Sequence, residues 1–262
     1  MTRFPVVPNR DLGQHFLVDR NILGVIGRMA ELADDDVVLE IGPGLGVLTS
    51  FLADRVRLVH AAEIDRSLEP FLRDQLGARD NVRLVFGDAL KLPLDALDPR
   101  PGKLVANLPY QIATPVIGES LDGLPAVRIW CVMLQREVAE RLFAPPGTKS
   151  YGAISVLVQL TAVRTAFHAV ARTCFQPQPN VDSALVAFRR QRDWDGELRP
   201  LKKLVQAGFG HRRKTLANAL ETAGYATRSK TIEALAVLGR SEGVRAEALA
   251  PEEFVTLAEA LA

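Results

Sequence analysis

Between residues 36 and 190, short runs rich in Val, Ile and Leu alternate with amphipathic stretches in which apolar residues recur at helical spacing. This alternation is typical of a mostly parallel sheet covered by helices, because each parallel crossover needs a connecting helix. The apolar runs predict seven strands, at residues 37–41, 58–64, 82–86, 104–107, 129–134, 163–169 and 184–189. The stretches between them predict helices at 47–54, 68–76, 115–121, 137–143 and 153–160. We therefore expect a doubly wound α/β domain.

After residue 190 the strand pattern ends and Ala/Leu-rich helical patterns follow. These patterns are separated by residues that interrupt helices, namely Gly210, Gly224, Gly239, Gly243 and Pro251. A polar turn at 193–196 marks the join. The sequence thus predicts an α/β domain over 1–192 and a small all-helical domain over 193–262.

The composition is that of an ordinary globular chain. It has 262 residues, of which 48% are hydrophobic and 24% charged, and this excludes disordered and collagen-like classes. No apolar run approaches the ~18 to 20 residues of a membrane span, and the start of the chain lacks a secretory signal. Cys131 and Cys174 lack metal-site spacing. We expect a cytoplasmic protein without a membrane or metal partner, and a monomer.

The net charge of +1 hides a segregation of charge along the chain. Residues 187–230 contain eleven basic and four acidic side chains, a net charge of +7. Residues 232–262 contain six acidic and two basic side chains. A solvated helical face explains such a segment, but so does a polyanion partner such as a nucleic acid.

A glycine-rich turn follows the first predicted strand, in the form Gly42-x-Gly44-x-Gly46 with Glu40 two residues ahead. Glycine at 42 and 44 lets a ligand approach the backbone closely, although one glycine suffices for a tight turn. The dinucleotide fingerprint is GxGxxG, so the spacing disfavours NAD without excluding it. The E-x-G-x-G-x-G form resembles the first motif of the class I methyltransferases that use S-adenosylmethionine.

Two carboxylates follow at the ends of the next strands. Glu63 comes 21 residues after Gly42 and is suited to accept both ribose hydroxyls of a nucleoside. Asp65 has the same chemistry but is better explained as the cap of the next helix. Asp88 can accept from an adenine amine, although alone it would be interpreted as a turn residue.

The tetrapeptide Asn107-Leu108-Pro109-Tyr110 directly follows the fourth predicted strand, at the edge where open α/β sheets bind ligands. An adenine amine is a poor nucleophile because its lone pair is delocalised into the ring. The Asn107 side-chain carbonyl and the Leu108 backbone carbonyl, held by rigid Pro109, can accept its two N–H groups and turn the lone pair out of the plane. Tyr110 offers a face for base stacking. A plain turn is the alternative, but the glycine turn, Glu63 and Asp88 argue against it.

Together these motifs resemble the ribosomal RNA adenine N6-dimethyltransferases over nearly the whole chain. Three further segments carry the resemblance: Leu12-Gly13-Gln14-His15-Phe16-Leu17 resembles G-Q-N-F-L, Phe175-x-Pro177-x-Pro179-x-Val181-Asp182-Ser183 resembles F-x-P-x-P-x-V-x-S, and residues 209–216 resemble F-x-x-R-R-K-x-L. The resemblance implies a class I methyltransferase Rossmann-like fold with seven mostly parallel strands. It also implies transfer of methyl groups from S-adenosylmethionine to N6 of two adjacent adenines near the 3′ end of 16S rRNA, in the 30S subunit or its precursor.

The family roles carry over residue by residue. They give cofactor contacts to His15, Leu17, Gly42, Gly44, Glu63, Asp88 and Asn107. Catalytic roles fall on Asn107, Leu108, Pro109, Tyr110 and Phe175, and RNA-binding roles on Arg212, Arg213 and Lys214. Phe175 is expected to stack on the flipped adenine opposite Tyr110. His15 departs from the family, which usually has asparagine there, and a structural histidine is an equal alternative.

Three other functions remain open. The 23S rRNA adenine methyltransferases of macrolide resistance share the core, but they more often have isoleucine in place of Leu108. DNA adenine methyltransferases commonly have a second proline there. A non-catalytic RNA-binding assembly factor is a different class, and the intact tetrapeptide and glycine turn argue against it.

Overall fold

A computed structural model describes residues 14–191 and 198–262 of the chain. The described residues form two compact units: residues 14–139 together with Arg164–Arg190 make the first, and Glu140–Val163 together with Gln191 and residues 198–262 make the second. The units do not correspond to a single cut in the sequence, because the segment Glu140–Val163 packs with the C-terminal helices. The predicted polar join at 193–196 lies outside the described residues.

A seven-stranded sheet forms the centre of the first unit. Its strands are β2 (Val37–Ile41), β3 (Leu58–Glu63), β4 (Val82–Phe86), β5 (Lys103–Asn107), β6 (Ile129–Gln135), β7 (Ala162–Val170) and β9 (Ser183–Arg190). Their order in the sheet is β4-β3-β2-β5-β6-β9-β7. The first five strands in this order are parallel and β9 is antiparallel to β6. The predicted mostly parallel sheet of seven strands is confirmed.

Helices join three successive pairs of parallel strands. Helix α2 (Val47–Ala53) lies between β2 and β3, α3 (Glu69–Leu76) between β3 and β4, and α4 (Ala113–Gly123) between β5 and β6. Helix α5 (Arg136–Leu142) follows β6. Strands β2 and β3 are fully buried, as strands covered on both faces must be. Since all carboxyl ends of the parallel strands meet at one edge, the turns after β2, β3, β4 and β5 lie together there.

Two features of the first unit were not predicted. Helix α1 (Arg20–Met29) is capped at its N-terminus by Asp19, whose side chain accepts from the Asn21 backbone N–H at 2.8 Å. A two-stranded ladder pairs β1 (Phe16–Leu17) with β8 (Phe175–Gln176) in antiparallel register. Strands of two residues carry no periodicity, and thus sequence patterns do not reveal them.

The second unit is helical. It contains α6 (Ala153–Thr161), α7 (Leu198–Phe209), α8 (Leu216–Thr222), α9 (Arg228–Val237) and α10 (Pro251–Leu261). Aromatic rings fill its core: Phe209 lies 5.8 Å from Tyr151 and 5.9 Å from Phe254 between ring centroids. The Tyr151 hydroxyl donates to the Leu249 carbonyl at 2.9 Å. Within the described residues, no helix is long and apolar enough to cross a membrane.

Candidate active site

A cavity of about 210 Å³ opens at the carboxyl edge of the parallel strands. It is lined by the turns that follow β2, β3, β4 and β5 and by residues 14–17. Every residue predicted to contact a cofactor lines it: His15, Leu17, Gly42, Gly44, Glu63, Asp88 and Asn107. Leu108, Pro109 and Tyr110 line it as well. The fold therefore brings the predicted cofactor residues and the tetrapeptide into one cavity.

The glycine turn packs closely against two side chains, those of Pro109 and Phe16, which the sequence pattern did not indicate. Gly42 and Gly44 have positive φ angles of 74° and 56°. A Cβ atom on Gly42 would lie 3.1 Å from the Pro109 ring, and one on Gly44 would lie 2.9 Å from the Phe16 ring. The glycines thus allow the tetrapeptide and the N-terminal segment to pack against the turn, in addition to any ligand.

The Glu63 carboxylate is fixed by the backbone around it. Its Oε2 accepts from the Gly44 N–H at 3.1 Å and its Oε1 from the Asp65 N–H at 2.9 Å. Burial raises the pKa of this carboxyl, and the two backbone donors oppose the shift. Asp65 accepts from the Ser67 N–H as the cap of the short 3₁₀ turn Arg66–Leu68. This agrees with its predicted capping role.

Glu40 is a second buried carboxyl in the same cavity, although the sequence pattern alone assigns it no ligand contact. It is 1% exposed, and its Oε2 has no hydrogen-bond partner in the described part of the chain. The pKa of Glu40 is raised to about 8, chiefly by burial; the Thr49 hydroxyl opposes this rise and the neighbouring Glu63 charge adds to it. A buried carboxyl oxygen without a partner fits a cationic ligand, because a cation would stabilise its ionised form.

Asp88 has one oxygen committed to its own turn. Its Oδ1 accepts from the Leu90 N–H at 3.0 Å, and its Oδ2 lies 3.4 Å from Lys91 Nζ. The side chain still lines the cavity. Both roles weighed from the sequence, turn residue and nucleobase acceptor, are therefore compatible with its position.

The Asn107 amide has a fixed orientation. Its Nδ2 donates to the His15 backbone carbonyl at 3.1 Å. Because the amide nitrogen is committed to this bond, the carbonyl Oδ1 is the atom left to accept from a ligand. Leu108 is buried, and its N–H donates to the Met133 carbonyl at 3.0 Å. The Asn107 side chain and the Leu108 backbone are therefore both held by hydrogen bonds within the chain.

Residues 14–17 form a strap along the cavity, held at several points. Gln14 Nε2 donates to Asp65 Oδ2 at 2.8 Å. His15 Nδ1 lies 2.8 Å from the Pro177 carbonyl, which can only accept, so Nδ1 carries the proton. Phe16 and Leu17 pair with β8. His15 lines the cavity and also makes a structural hydrogen bond. Its position is therefore compatible with both roles considered from the sequence, a cofactor contact and a structural histidine.

The structure does not bring Phe175 and Tyr110 together as the two faces of an aromatic clamp. Phe175 is 3% exposed and packs in the hydrophobic core with Leu17, and it does not line the described cavity. The ring beside Tyr110 is that of His15, at 5.6 Å between centroids and 31° between planes. The Tyr110 hydroxyl lies 2.6 Å from the buried Ser183 hydroxyl. The stacking role of Phe175 on the target base stays a prediction.

In the basic segment at 212–214, two of the three side chains make hydrogen bonds within the second unit. Arg212 Nη2 donates to the carbonyls of Lys149 and Tyr151 at 3.0 and 3.2 Å, and it lies 3.3 Å from Glu247 Oε2. Lys214 Nζ donates to the Thr222 hydroxyl at 2.8 Å. Arg213 is exposed and has no hydrogen bond or ion pair among the described residues. Arg213 is thus the member of the predicted RNA-binding set with the most freedom to meet a phosphate.

The comparisons with known proteins agree with one another. A family model described as "Ribosomal RNA adenine dimethylase" matches residues 7–262. Ribosomal RNA small subunit methyltransferase A of Rubrobacter xylanophilus is 47% identical over 250 residues, covering 95% of this chain and 94% of that protein. The protein of the same name from Ligilactobacillus salivarius is 43% identical over 273 residues, covering 100% and 92%.

Solved structures give the same grouping. A dimethyladenosine transferase from Plasmodium falciparum matches with a TM-score of 0.76 and 25% identity, covering 93% of this chain and 96% of that one. The 23S rRNA methyltransferase ErmE matches with a TM-score of 0.65 and 30% identity, covering 94% and 99%. The class I methyltransferase fold expected from the sequence is confirmed, and the chain belongs to the ribosomal RNA adenine dimethylase family.

Proposed function

We propose that this protein transfers methyl groups from S-adenosylmethionine to N6 of two adjacent adenines near the 3′ end of 16S rRNA, in the 30S subunit or its precursor. The observation that carries the proposal is the Asn107 amide, whose Nδ2 is bonded to the strap and whose Oδ1 is left to accept in a cavity containing Glu40, Glu63 and Asp88. The near full-length similarity to small subunit methyltransferases A supports the choice of RNA.

The residues present fit S-adenosylmethionine. Its positively charged sulfonium and amino groups match the unpartnered oxygen of the buried Glu40 carboxyl. Glu63 is suited to the ribose hydroxyls and Asp88 to the adenine amine, while Gly42 and Gly44 leave the turn open. When bound, this cofactor supplies an electrophilic methyl group. Three more residues complete the proposed set of cofactor contacts: His15, Leu17 and Asn107.

The chain's own residues prepare the nucleophile. Asn107 Oδ1 and the Leu108 carbonyl accept the two N–H groups of the target amine and turn its lone pair towards the methyl group. Pro109 keeps this backbone rigid, and Tyr110 stacks on the adenine after the base leaves its helix. The amine loses its proton readily once it is cationic, so alignment carries the rate and no strong base is needed. A second transfer on the same nitrogen gives the dimethylated base.

RNA affinity is proposed to come from the basic segment of the second unit. Arg213 is exposed and offers its charge to phosphates, with Lys214 and the remaining donors of Arg212 beside it in sequence. Such contacts supply affinity and register rather than base identity, and a structured RNA is then recognised by its shape. The functional division into a methyltransferase domain over 1–192 and an RNA-binding domain over 193–262, the monomeric state and the cytoplasmic location remain predictions that go with this substrate.

A second candidate function has one specific observation in its favour. The similarity to ErmE, named as a 23S rRNA methyltransferase, covers nearly the whole chain at 30% identity. The identity to small subunit methyltransferases A is higher, at 43 to 47%. We therefore rank the 16S substrate first and the 23S substrate second.

The deciding experiment is transfer of labelled methyl from S-adenosylmethionine to 30S subunits lacking adenine dimethylation. Matched reactions contain 50S subunits, naked 23S rRNA or duplex DNA, and nucleoside analysis identifies the product. Dimethyladenosine formed on 30S subunits alone supports the proposal. Label in 50S subunits or 23S rRNA supports the second candidate, and label in DNA or cofactor binding without any transfer contradicts both.

A further inference from the structure

The segment from Phe175 to Ser183 meets the active site through groups other than its aromatic ring. Phe175 packs in the core, as described above. The Pro177 carbonyl holds the His15 ring at 2.8 Å, and the Ser183 hydroxyl lies 2.6 Å from the Tyr110 hydroxyl. A segment expected to stack on the target base thus contacts two residues that line the cavity, His15 and Tyr110.

We propose that Ser183 is a positioning residue for the target adenine, because its hydroxyl holds the Tyr110 ring in the orientation in which the ring receives the base. This inference rests on the proposed function, in which Tyr110 stacks on that adenine. It assigns Ser183 a part in the methyl transfer step without any contact to the cofactor.

The position of Ser183 suits this role. It is fully buried at the first residue of β9, and it lies opposite Gln135 in the antiparallel ladder with β6, so the sheet fixes its backbone. Tyr110, in contrast, lies in the turn after β5 and is only half-buried. A tyrosine ring that is free in such a turn can rotate about two side-chain torsions. A hydrogen bond from its far end to a fixed hydroxyl restricts both torsions.

The ring contact between His15 and Tyr110 does not fix the Tyr110 hydroxyl, whereas the hydrogen bond to Ser183 does. The His15 ring lies tilted by 31° at 5.6 Å from the Tyr110 ring, which limits the space beside it without fixing the hydroxyl end. Ser183 itself does not line the described cavity. We therefore expect a change at Ser183 to alter the orientation of Tyr110 without removing any residue that lines the described cavity.

The test compares Ser183→Ala, Tyr110→Phe and the double variant in methyl transfer to undermethylated 30S subunits at saturating cofactor. Loss of one such hydrogen bond corresponds to a roughly five- to tenfold effect. We expect each single variant to lower kcat by that factor, with cofactor affinity by calorimetry within about twofold of wild type. The double variant should be no slower than either single variant, because both remove the same bond. Ser183→Thr, which restores a hydroxyl, should recover most of the rate.

Ser120→Ala is the matched control for loss of a buried serine hydroxyl. Ser120 is 3% exposed and accepts from the Trp130 indole at 2.8 Å in the same unit. It should lower thermal stability and leave kcat near wild type. The proposal is overturned if Ser183→Ala matches Ser120→Ala in all readouts, if the double variant shows the product of the two single effects, or if Thr does not restore the rate.

A readout without RNA separates this inference from the proposed function. The chain has three tyrosines, so ¹³Cζ-labelled tyrosine gives three signals, and Tyr110→Phe identifies one of them. Ser183→Ala should shift the Tyr110 signal and leave those of Tyr151 and Tyr225 in place. An unshifted Tyr110 signal overturns the positioning role. A shifted signal in a protein that methylates no 30S subunit leaves the contact standing and overturns the proposed function.

Discussion

The cofactor cavity and the basic segment at 212–214 are both marked by sequence motifs, yet the chain uses the two sets of residues differently. In the cavity, residues from 15 to 107 converge on one space, and the Glu40 and Asn107 side chains each keep an acceptor oxygen for a ligand. In the basic segment, Arg212 Nη2 is directed at two carbonyls and a carboxylate of its own unit. A charged residue in a motif can therefore bind a ligand only through those polar atoms that make no hydrogen bond or ion pair within the chain.

The strongest test on the cavity side is Asn107→Ala. It removes the proposed acceptor for the target amine and leaves Glu40, Glu63 and Asp88 in place. We expect methyl transfer to 30S subunits to fall at least a hundredfold, because a preorganised group that acts on the reacting atom is typically worth this much. Cofactor affinity by calorimetry should fall by less than tenfold. Equal losses in both measurements would mean that Asn107 serves cofactor binding alone.

The glycine turn gives the next largest effect. Gly44→Ala adds a Cβ at a φ of 56° and 2.9 Å from the Phe16 ring, which displaces the strap. Cofactor affinity should fall roughly tenfold, the equivalent of about 1.4 kcal/mol. Gly147→Ala is the matched control, because Gly147 has a φ of 80° but nothing within 4 Å of the added atom. It should lower thermal stability without changing cofactor affinity, and an equal affinity loss in both variants would contradict the steric account.

Glu40 should make the affinity for the cofactor depend on pH, and this dependence can be measured without RNA. Its pKa of about 8 means that the free protein holds a proton there at neutral pH, and a cationic cofactor favours the ionised form. Affinity should therefore rise with pH up to about 8, by at most tenfold per unit, and then level off. Binding near pH 7 should release protons, seen by calorimetry in buffers of different ionisation enthalpy. Glu40→Gln should abolish both effects.

Stability should change in the opposite direction to affinity. The unfolded chain ionises Glu40 near its ordinary pKa of 4.5, whereas the ligand-free fold keeps the proton up to about 8. The contribution of this group to stability is thus complete below pH 4.5 and is lost as the pH rises to about 8. Glu40→Gln should melt at a higher temperature than wild type at pH 8. A lower melting temperature there would mean that the charge is compensated inside the fold.

The smallest expected effects distinguish the two neighbouring arginines. Arg213→Gln should weaken RNA binding and reduce the slope of log affinity against log salt by about 1, because one phosphate contact is lost. Arg212→Gln should change that slope less and lower the melting temperature by about 2–4 °C, since it releases the carbonyls of Lys149 and Tyr151. A larger change in salt slope for Arg212→Gln, together with a larger loss of melting temperature for Arg213→Gln, would contradict these assignments.

How far the sequence predicts this molecule depends on the range of the interactions involved. The strands and the cavity residues follow from apolar runs and from motifs at strand ends, because parallel topology brings those ends together. Helix α1 was missed although Asp19, Ile22, Leu23 and Ile26 give a capping and spacing signal. The bond between Tyr110 and Ser183 joins positions 73 residues apart, and no local pattern marks it.

Contacts between distant parts of the chain also explain why the sequence did not predict the surroundings of Phe175 and Arg212. The motif gives their residue types, but whether the phenylalanine ring faces the cavity or the core depends on the pairing of β8 with β1. Likewise, the environment of Arg212 depends on a loop more than 60 residues earlier in the chain. Such placements are set by tertiary packing, which single-sequence patterns do not contain.

The most direct test of the central claim is to count and locate the products on 30S subunits after exhaustive methylation by the wild-type protein, with Asn107→Ala in parallel. Mass spectrometry of RNase fragments gives both the number of methyl groups and their positions. The account predicts four added methyl groups, on two adjacent adenines near the 3′ end of 16S rRNA, and an initial rate at least a hundredfold lower with the variant. Monomethylated adenines alone, sites elsewhere in the RNA, or an Asn107→Ala enzyme as fast as wild type would contradict it.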